Sequence, residues 1–241
     1  MKFPLWLAIL VACRTLAAAP SADALLKAAE HIRSPEEEHQ VDIQLVDEHK
    51  GSRDVRTYEA DISGHGKARV KFLTPPVDKG TKLLMVDNDM WVYMPSAAKP
   101  IRVSARQRLT GNAVYGDIVR LQFVGNYKAE LSRQEKFQGR NAYVLLLTAI
   151  DGRPVTYDRI EYWVDATTHS PLKALYESPD GKILREGYFD KFRPVFGVKR
   201  PSHFRLIDHL EPSHITTLVF SGEKRKKLPD LLFERENFAR D

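Results

Sequence analysis

The chain has 241 residues, 37 Lys plus Arg against 32 Asp plus Glu, a net charge of +5 and a hydrophobic fraction of 43%. That length fits one large domain, and the apolar share is enough to fill its core. The basic excess is small and dispersed, densest at Lys224-Arg225-Lys226-Lys227, and no nucleic-acid fold motif accompanies it, so nucleic-acid binding is excluded.

Residues 1–18 read as a signal peptide. Lys2 supplies the positive start, Phe3 to Cys13 the apolar run, and Leu16-Ala17-Ala18-Ala19 a small-residue cleavage zone. The run is shorter than the ~20 residues of a membrane-crossing helix. Removing Lys2 and Arg14 lowers the net charge to +3. A periplasmic protein beginning at Ala19 and folding as one domain over residues 19–241 is expected. Leu10-Val11-Ala12-Cys13 also fits a lipoprotein cleavage site, which would make Cys13 a lipid anchor. Cys13 is the only cysteine, so no disulfide can staple the domain.

One helix opens the mature chain. Ser21 suits its N-cap, Leu25, Leu26, Ala28, Ala29 and Ile32 recur on one side, and Ser34-Pro35 stops it. Period-two alternation then predicts strands at Val41–Leu45, Ala68–Leu73, Lys82–Val86, Met90–Met94, Ile101–Ser104, Tyr127–Leu131, Tyr143–Leu147 and Ile160–Val164. Further runs follow at Leu172–Tyr176, Ile183–Tyr188, Phe196–Leu206 and His214–Phe220. Asp87-Asn88-Asp89 makes a tight hairpin, and Pro95 ends its second strand. Asp158, Glu161, Lys173, Glu177, Lys182 and Arg185 mark the solvated side. The fold class is therefore mainly β, a large curved antiparallel sheet forming an open barrel with a helical lid. The lid material is the first helix, a short helix around Asp117–Phe123 and the segment Leu228–Phe238.

Catalytic chemistry finds no foothold. Eight histidines are scattered without a familiar ligand spacing, and no serine or threonine sits in a nucleophile elbow. No catalytic residue, metal site or cofactor is assigned. Trp91 and Tyr93 share one strand face, either as core or as the wall of a lipid cavity. Arg102, Arg106 and Arg108 precede Leu109-Thr110-Gly111-Asn112. They belong either to a solvated loop or to a gate between lid and barrel rim.

The chain resembles the outer-membrane lipoprotein-sorting protein family, and within it the LolA-like periplasmic carriers. The resemblance is carried by Leu83-Leu84-Met85, Trp91-Val92-Tyr93-Met94-Pro95, Arg102, Arg106-Gln107-Arg108 and Gly116-Asp117. It implies an open barrel whose cavity takes acyl chains of lipoprotein or other acylated lipid cargo, with Leu84, Trp91, Tyr93 and Leu109 as lipid-binding residues. It also implies a monomer that exchanges cargo with an inner-membrane donor complex and an outer-membrane acceptor. Aligned on Trp91 and Pro95, the basic cargo-transfer position of the family falls on Lys67, with Arg69 beside it. Arg102, Arg106 and Arg108 join these as transfer or lid-gating residues. Two other roles fit the same fold: a sensor regulating a membrane partner, and a lipoprotein acceptor anchored through Cys13.

Overall fold

A computed structural model describes residues 20–64, 66–119 and 122–239. The signal peptide over residues 1–18 and the anchor reading of Cys13 lie outside these. Helix α1 spans Ala22–Arg33, with the Ser21 hydroxyl accepting from the Ala24 amide at 3.2 Å. That bond satisfies one of the orphan amides of the first turn. Its buried side carries Leu25, Leu26 and Ala29, together with Glu30 and Arg33.

The strands follow as β1 (His39–His49), β2 (Ser52–Ser63), β3 (Lys67–Thr74), β4 (Lys82–Val86), β5 (Asp89–Tyr93) and β6 (Ile101–Val103). A short ribbon, β7 (Arg108–Thr110) and β8 (Ala113–Val114), leads into the single-turn helix α2 (Tyr115–Ile118). Then come β9 (Tyr127–Phe137), β10 (Arg140–Ala149), β11 (Arg159–Asp165), β12 (Pro171–Glu177), β13 (Ile183–Val195), β14 (Val198–Asp208) and β15 (Ile215–Arg225). Apart from β7 and β8, all join one 13-stranded sheet in the order β6-β5-β4-β3-β2-β1-β15-β14-β13-β12-β11-β10-β9. Every neighbouring pair is antiparallel, and β1 against β15 joins two meanders. The ends β6 and β9 do not pair, so the sheet is open and curved and does not close into a barrel.

The predicted hairpin is present. Val86 faces Asp89 across a turn in which Asp87 takes φ +56°, a left-handed conformation that Asp tolerates. Three expectations are corrected. β2 has no counterpart among the predicted runs, because only Tyr58, Ala60 and Ile62 of its 12 residues show a buried apolar alternation amid charges. The helix expected around Asp117–Phe123 is the single turn Tyr115–Ile118. The C-terminal segment forms a 3-10 turn at Asp230–Phe233. Among the described residues no helix is long and apolar enough to cross a membrane.

The two faces of the sheet are covered differently. The inner face packs under α1, which crosses β9, β12 and β14, and under residues of the segment 105–123. The outer face of β4 and β5 packs under the C-terminal segment, where Leu228, Phe233 and Phe238 meet Leu84, Trp91 and Tyr93.

Candidate functional site

The inner face is built by period-two alternation. Leu145, Leu147, Ile160, Tyr162, Tyr176, Phe189, Phe204, Leu218 and Phe220 all point to one side and share one cluster with Leu25, Leu26 and Ala29 of α1. Phe189 stacks on Phe204 at 4.9 Å and Tyr157 on Tyr176 at 4.1 Å, while Phe123 meets Tyr162 edge-on at 5.4 Å. Among these rings lies a cavity of about 30 Å³, lined by Phe123, Tyr157, Tyr176, Phe189, Phe204 and Phe220 on its apolar side. Arg33, Asp117 and His203 supply polar edges. That volume holds roughly one or two waters and is far below the roughly 300–1,000 Å³ of a small-molecule site. The face is closed upon itself.

Ionisable groups are buried in this cover. Glu30 forms an ion pair with Arg33 one helical turn away, accepts the Phe123 amide at 2.8 Å, and Arg33 lies 4.4 Å from the Phe123 ring centroid. The Asp117 carboxylate accepts the Val114 amide at 3.0 Å and the Tyr157 hydroxyl at 3.3 Å. Burial pushes the Asp117 carboxyl above its ordinary range, outweighing Arg185 and these hydrogen bonds. Burial likewise pushes the Tyr157, Tyr162 and Tyr176 phenols up, so all three stay neutral. Arg185, expected on the solvated side, pairs in register with Tyr176 and therefore turns inward. It sits 5.5 Å from the Tyr157 ring centroid and donates to the Asn112 carbonyl.

The segment 105–119 is anchored more firmly than its glycines and arginines suggest. Ala105, Ala113, Val114, Ile118 and Val119 are buried in addition to the expected Leu109 contact. Polar latches hold its rim. Arg106 donates twice to the Asp158 carboxylate, at 2.7 Å each, and once to the Val155 carbonyl at 3.0 Å. At the ribbon tip the Asn112 amide donates to Thr216 Oγ1 at 2.8 Å and its side chain to the His214 carbonyl at 2.8 Å. Gly111 takes φ +56° there, and a Cβ on it would stand 1.9 Å from Asp47 Oδ1. Only glycine lets the tip approach so closely.

The predicted site residues divide between the two faces. Leu109 packs against the inner cluster and Arg106 latches its cover. Leu84, Trp91 and Tyr93 do not line the inner cavity. Leu83, Met85, Met90 and Val92 take the inward positions of the hairpin, so their alternates face the C-terminal segment. Lys67 and Arg69 lie on that same outer side. Lys67 donates to Asp230 at 2.6 Å, and Arg69 donates to Asp61 at 3.0 Å. Lys226 also reaches Asp61 at 3.0 Å. Burial tends to raise the Asp61 carboxyl, but Lys226 and Arg69 outweigh it and hold it below its ordinary range. Arg102 is exposed and pairs with Asp89, and Arg108 is exposed on β7. The residues missed were Glu30, Arg33, Asp117, Tyr157, Tyr176, Phe189 and Phe204. For the aromatic ones the signal was present as strand parity; for the charged ones there was none, since a Glu-Arg pair on a helix ordinarily reads as its wet side.

Known proteins place this architecture. A family profile described as "Uncharacterized protein" matches residues 64–240. A LolA superfamily protein from Nitrosomonas europaea is 34% identical, with 90% of this chain and 99% of that one aligned at a TM-score of 0.84. A DUF1329 family protein from Desulfovibrio piger is 21% identical over 89% of this chain and 96% of its own, at TM-score 0.78. An outer membrane lipoprotein-sorting protein domain from Vibrio parahaemolyticus is 18% identical over 91% and 98%, also at 0.78. These last two share the fold. No curated protein matches the sequence. With an open, lidded antiparallel sheet and a relative this similar along nearly its whole length, the chain belongs to the LolA superfamily.

Proposed function

We propose that residues 19–241 form a single-domain, monomeric, non-catalytic periplasmic carrier that shields acyl chains of lipoproteins, or of another acylated lipid, against the inner face. The observation that carries this reading is the pairing of an aromatic inner face with a cover latched by polar contacts at its rim. Exposing an acyl chain of ~16 carbons to water costs on the order of 10 kcal/mol, at about 0.8 kcal/mol per CH₂. A soluble crossing therefore needs an apolar shelter, and delivery needs one that opens. Rim hydrogen bonds suit opening, because water replaces them once they part. Loading separates the cover from Phe189, Phe204 and Phe220 and expands the small cavity found between them.

In this reading Arg106 and Leu109 belong to the gate. Lys67, Arg69, Arg102 and Arg108 are the proposed cargo-transfer residues. Lys67 and Arg102 reach solvent on the outer side, Arg69 is buried there beside Leu84, Trp91 and Tyr93 beneath the C-terminal segment, and Arg108 is exposed on the ribbon of the inner cover. An inner-membrane donor complex and an outer-membrane acceptor are the expected partners. The test is native mass spectrometry for a co-purified lipid, joined to titration with a fluorescent fatty acid. Phe204→Ala is expected to change probe affinity strongly, whereas Trp91→Ala leaves it near wild type. Equal sensitivity at both positions, or no probe binding by folded protein, would remove the inner-face carrier.

A further inference from the structure

At one end of the sheet the β1–β2 hairpin meets the β14–β15 turn. β1 pairs with β15 in a register that sets Glu48 opposite Ile215, which brings His49 beside His214. The turn is shaped by Asp208, whose carboxylate accepts the amides of Leu210 at 2.8 Å and Glu211 at 3.0 Å. His214 closes it by donating its own amide to the Glu211 carbonyl at 2.8 Å. His49, Glu211 and His214 are thereby brought together, and one ligand-type atom from each lies within 4.8 Å of the others.

The imidazoles of His49 and His214 stack at 4.3 Å with their planes 25° apart, so one ring has to turn out of the stack before both can aim a nitrogen at one ion. His49 Nε2 lies 3.0 Å from Glu211 Oε2, an ion-pair contact between the two side chains. The three side chains are close enough to share an ion that displaces this pair. With metal bonds of about 2.0–2.2 Å in a tetrahedral set, ligand atoms sit about 3.4 Å apart. The hydrogen bonds of the His214 ring run through Nε2, which reaches Asp47 at 3.0 Å. An outer carboxylate on one ring nitrogen is the usual support of a histidine that ligates through the other. Lys50 takes the second oxygen of Glu211, Oε1, at 3.1 Å and leaves Oε2 to the group.

We propose that His49, Glu211 and His214 form a three-ligand site for a divalent transition-metal ion of the zinc class, with Asp47 as the outer carboxylate that orients His214. Two imidazoles and one carboxylate favour zinc, cobalt or nickel over calcium and magnesium, which prefer all-oxygen sets. The site also touches the latch of the inner-face cover. Asp47 Oδ1 accepts the Thr216 hydroxyl at 2.5 Å, and Thr216 Oγ1 accepts the Asn112 amide at 2.8 Å. An ion that fixes His214 therefore fixes the ribbon tip. This link, unlike the site itself, draws its meaning from the carrier reading.

The experiment uses tag-free purified protein cleared of metal with chelator, titrated with CoCl₂ and followed by visible absorption and calorimetry. The expected result is one Co²⁺ per chain with tetrahedral-type bands, displaced by ZnCl₂ and untouched by millimolar MgCl₂. His49→Ala, His214→Ala and Glu211→Gln should each weaken binding at least about tenfold, Asp47→Asn about 10- to 100-fold, and His31→Ala not at all. His49→Gln serves as a second variant should the alanine form fail to fold. Binding that survives all three ligand substitutions, or that matches His31→Ala throughout, would overturn the site. Amide exchange over residues 107–115 should slow when ZnCl₂ is added to lipid-free protein and not in His49→Ala. Zinc bound with exchange unchanged would overturn the link to the cover, independently of whether the protein carries lipid.

Discussion

The same sheet wears two covers of opposite design. Over the inner face, Tyr162, Tyr176, Phe189, Phe204 and Phe220 share one cluster with α1 and the segment 105–119, with buried Glu30, Arg33 and Asp117 within the contact and Arg106 hydrogen-bonded at its rim. Over the outer face of β2–β5, ion pairs lie beneath and beside the tail, and Phe233 and Phe238 plug the gap between them. A buried charge costs desolvation that its partner only offsets, and each cover carries such a pair, Glu30–Arg33 on the inner side and Asp61–Arg69 on the outer. What sets the inner cover apart is that Arg106 and Asn112 hold it through polar latches. The outer tail is a clasp whose apolar plugs have nowhere better to go. The difference separates an interface suited to exchange from one suited to keeping a chain end in place.

The comparison breaks most readily through its aromatic anchors. Phe204→Ala should lower global stability by about 3–5 kcal/mol in urea unfolding, because the ring is shared by strands across the inner face. Phe238→Ala should cost less globally, about 1–2 kcal/mol, since the tail can detach alone. Its signature would be faster tryptic cleavage at Lys226 and Lys227 with an unchanged urea slope. Equal global losses would show that both covers belong to one cooperative unit.

Smaller effects sharpen the contrast. Asn112→Ala removes the side-chain half of the ribbon latch, for about 1 kcal/mol. It should accelerate amide exchange from Gln107 to Tyr115 while leaving the β1–β15 pairing protected. The smallest effect is a pH slope. Burial holds the Asp117 carboxyl above its unfolded value, so the stability tied to its protonated form is complete below about pH 4. That stability is lost as pH rises through the raised folded value. Asp117→Asn keeps the acceptor and removes the titration, so the stability of wild type relative to the variant should fall on going from acid to neutral pH. A difference in melting temperature that stays flat would mean Asp117 is ionised in the closed protein.

Much of the fold was legible because alternation is a local signal. Val41, Ile43 and Leu45, or Ile160, Tyr162 and Val164, declare a strand and its buried side without reference to anything distant. β2 was not legible, because Ser52 to Thr57 hold their place through pairing with β1 rather than through burial. The hairpin shows the limit for a site. Leu83, Leu84 and Met85 are all buried, so β4 is apolar on both faces and its own pattern cannot say which side Trp91 joins. That is decided by Phe233 and Phe238, some 140 residues away. The His49–His214 pairing is invisible for the same reason, since it exists only once β1 and β15 are in register.

That central pairing has a consequence for how the protein comes into being. Of the strands in this sheet, β1 leaves the ribosome first and β15 last. The first meander can assemble early from neighbouring hairpins, but its 11-residue edge at β1 then waits, open, for a partner at the far end of the chain. Closing so long a loop is slow, and an unpaired edge of that length is a template for the wrong partner. Asp42, Asp47 and Glu48 along this edge place negative charge where two such intermediates would otherwise join. Biogenesis, more than the finished structure, is where this chain is exposed to aggregation, and holding β1 apart until β15 arrives is the task its cellular escorts would have to perform.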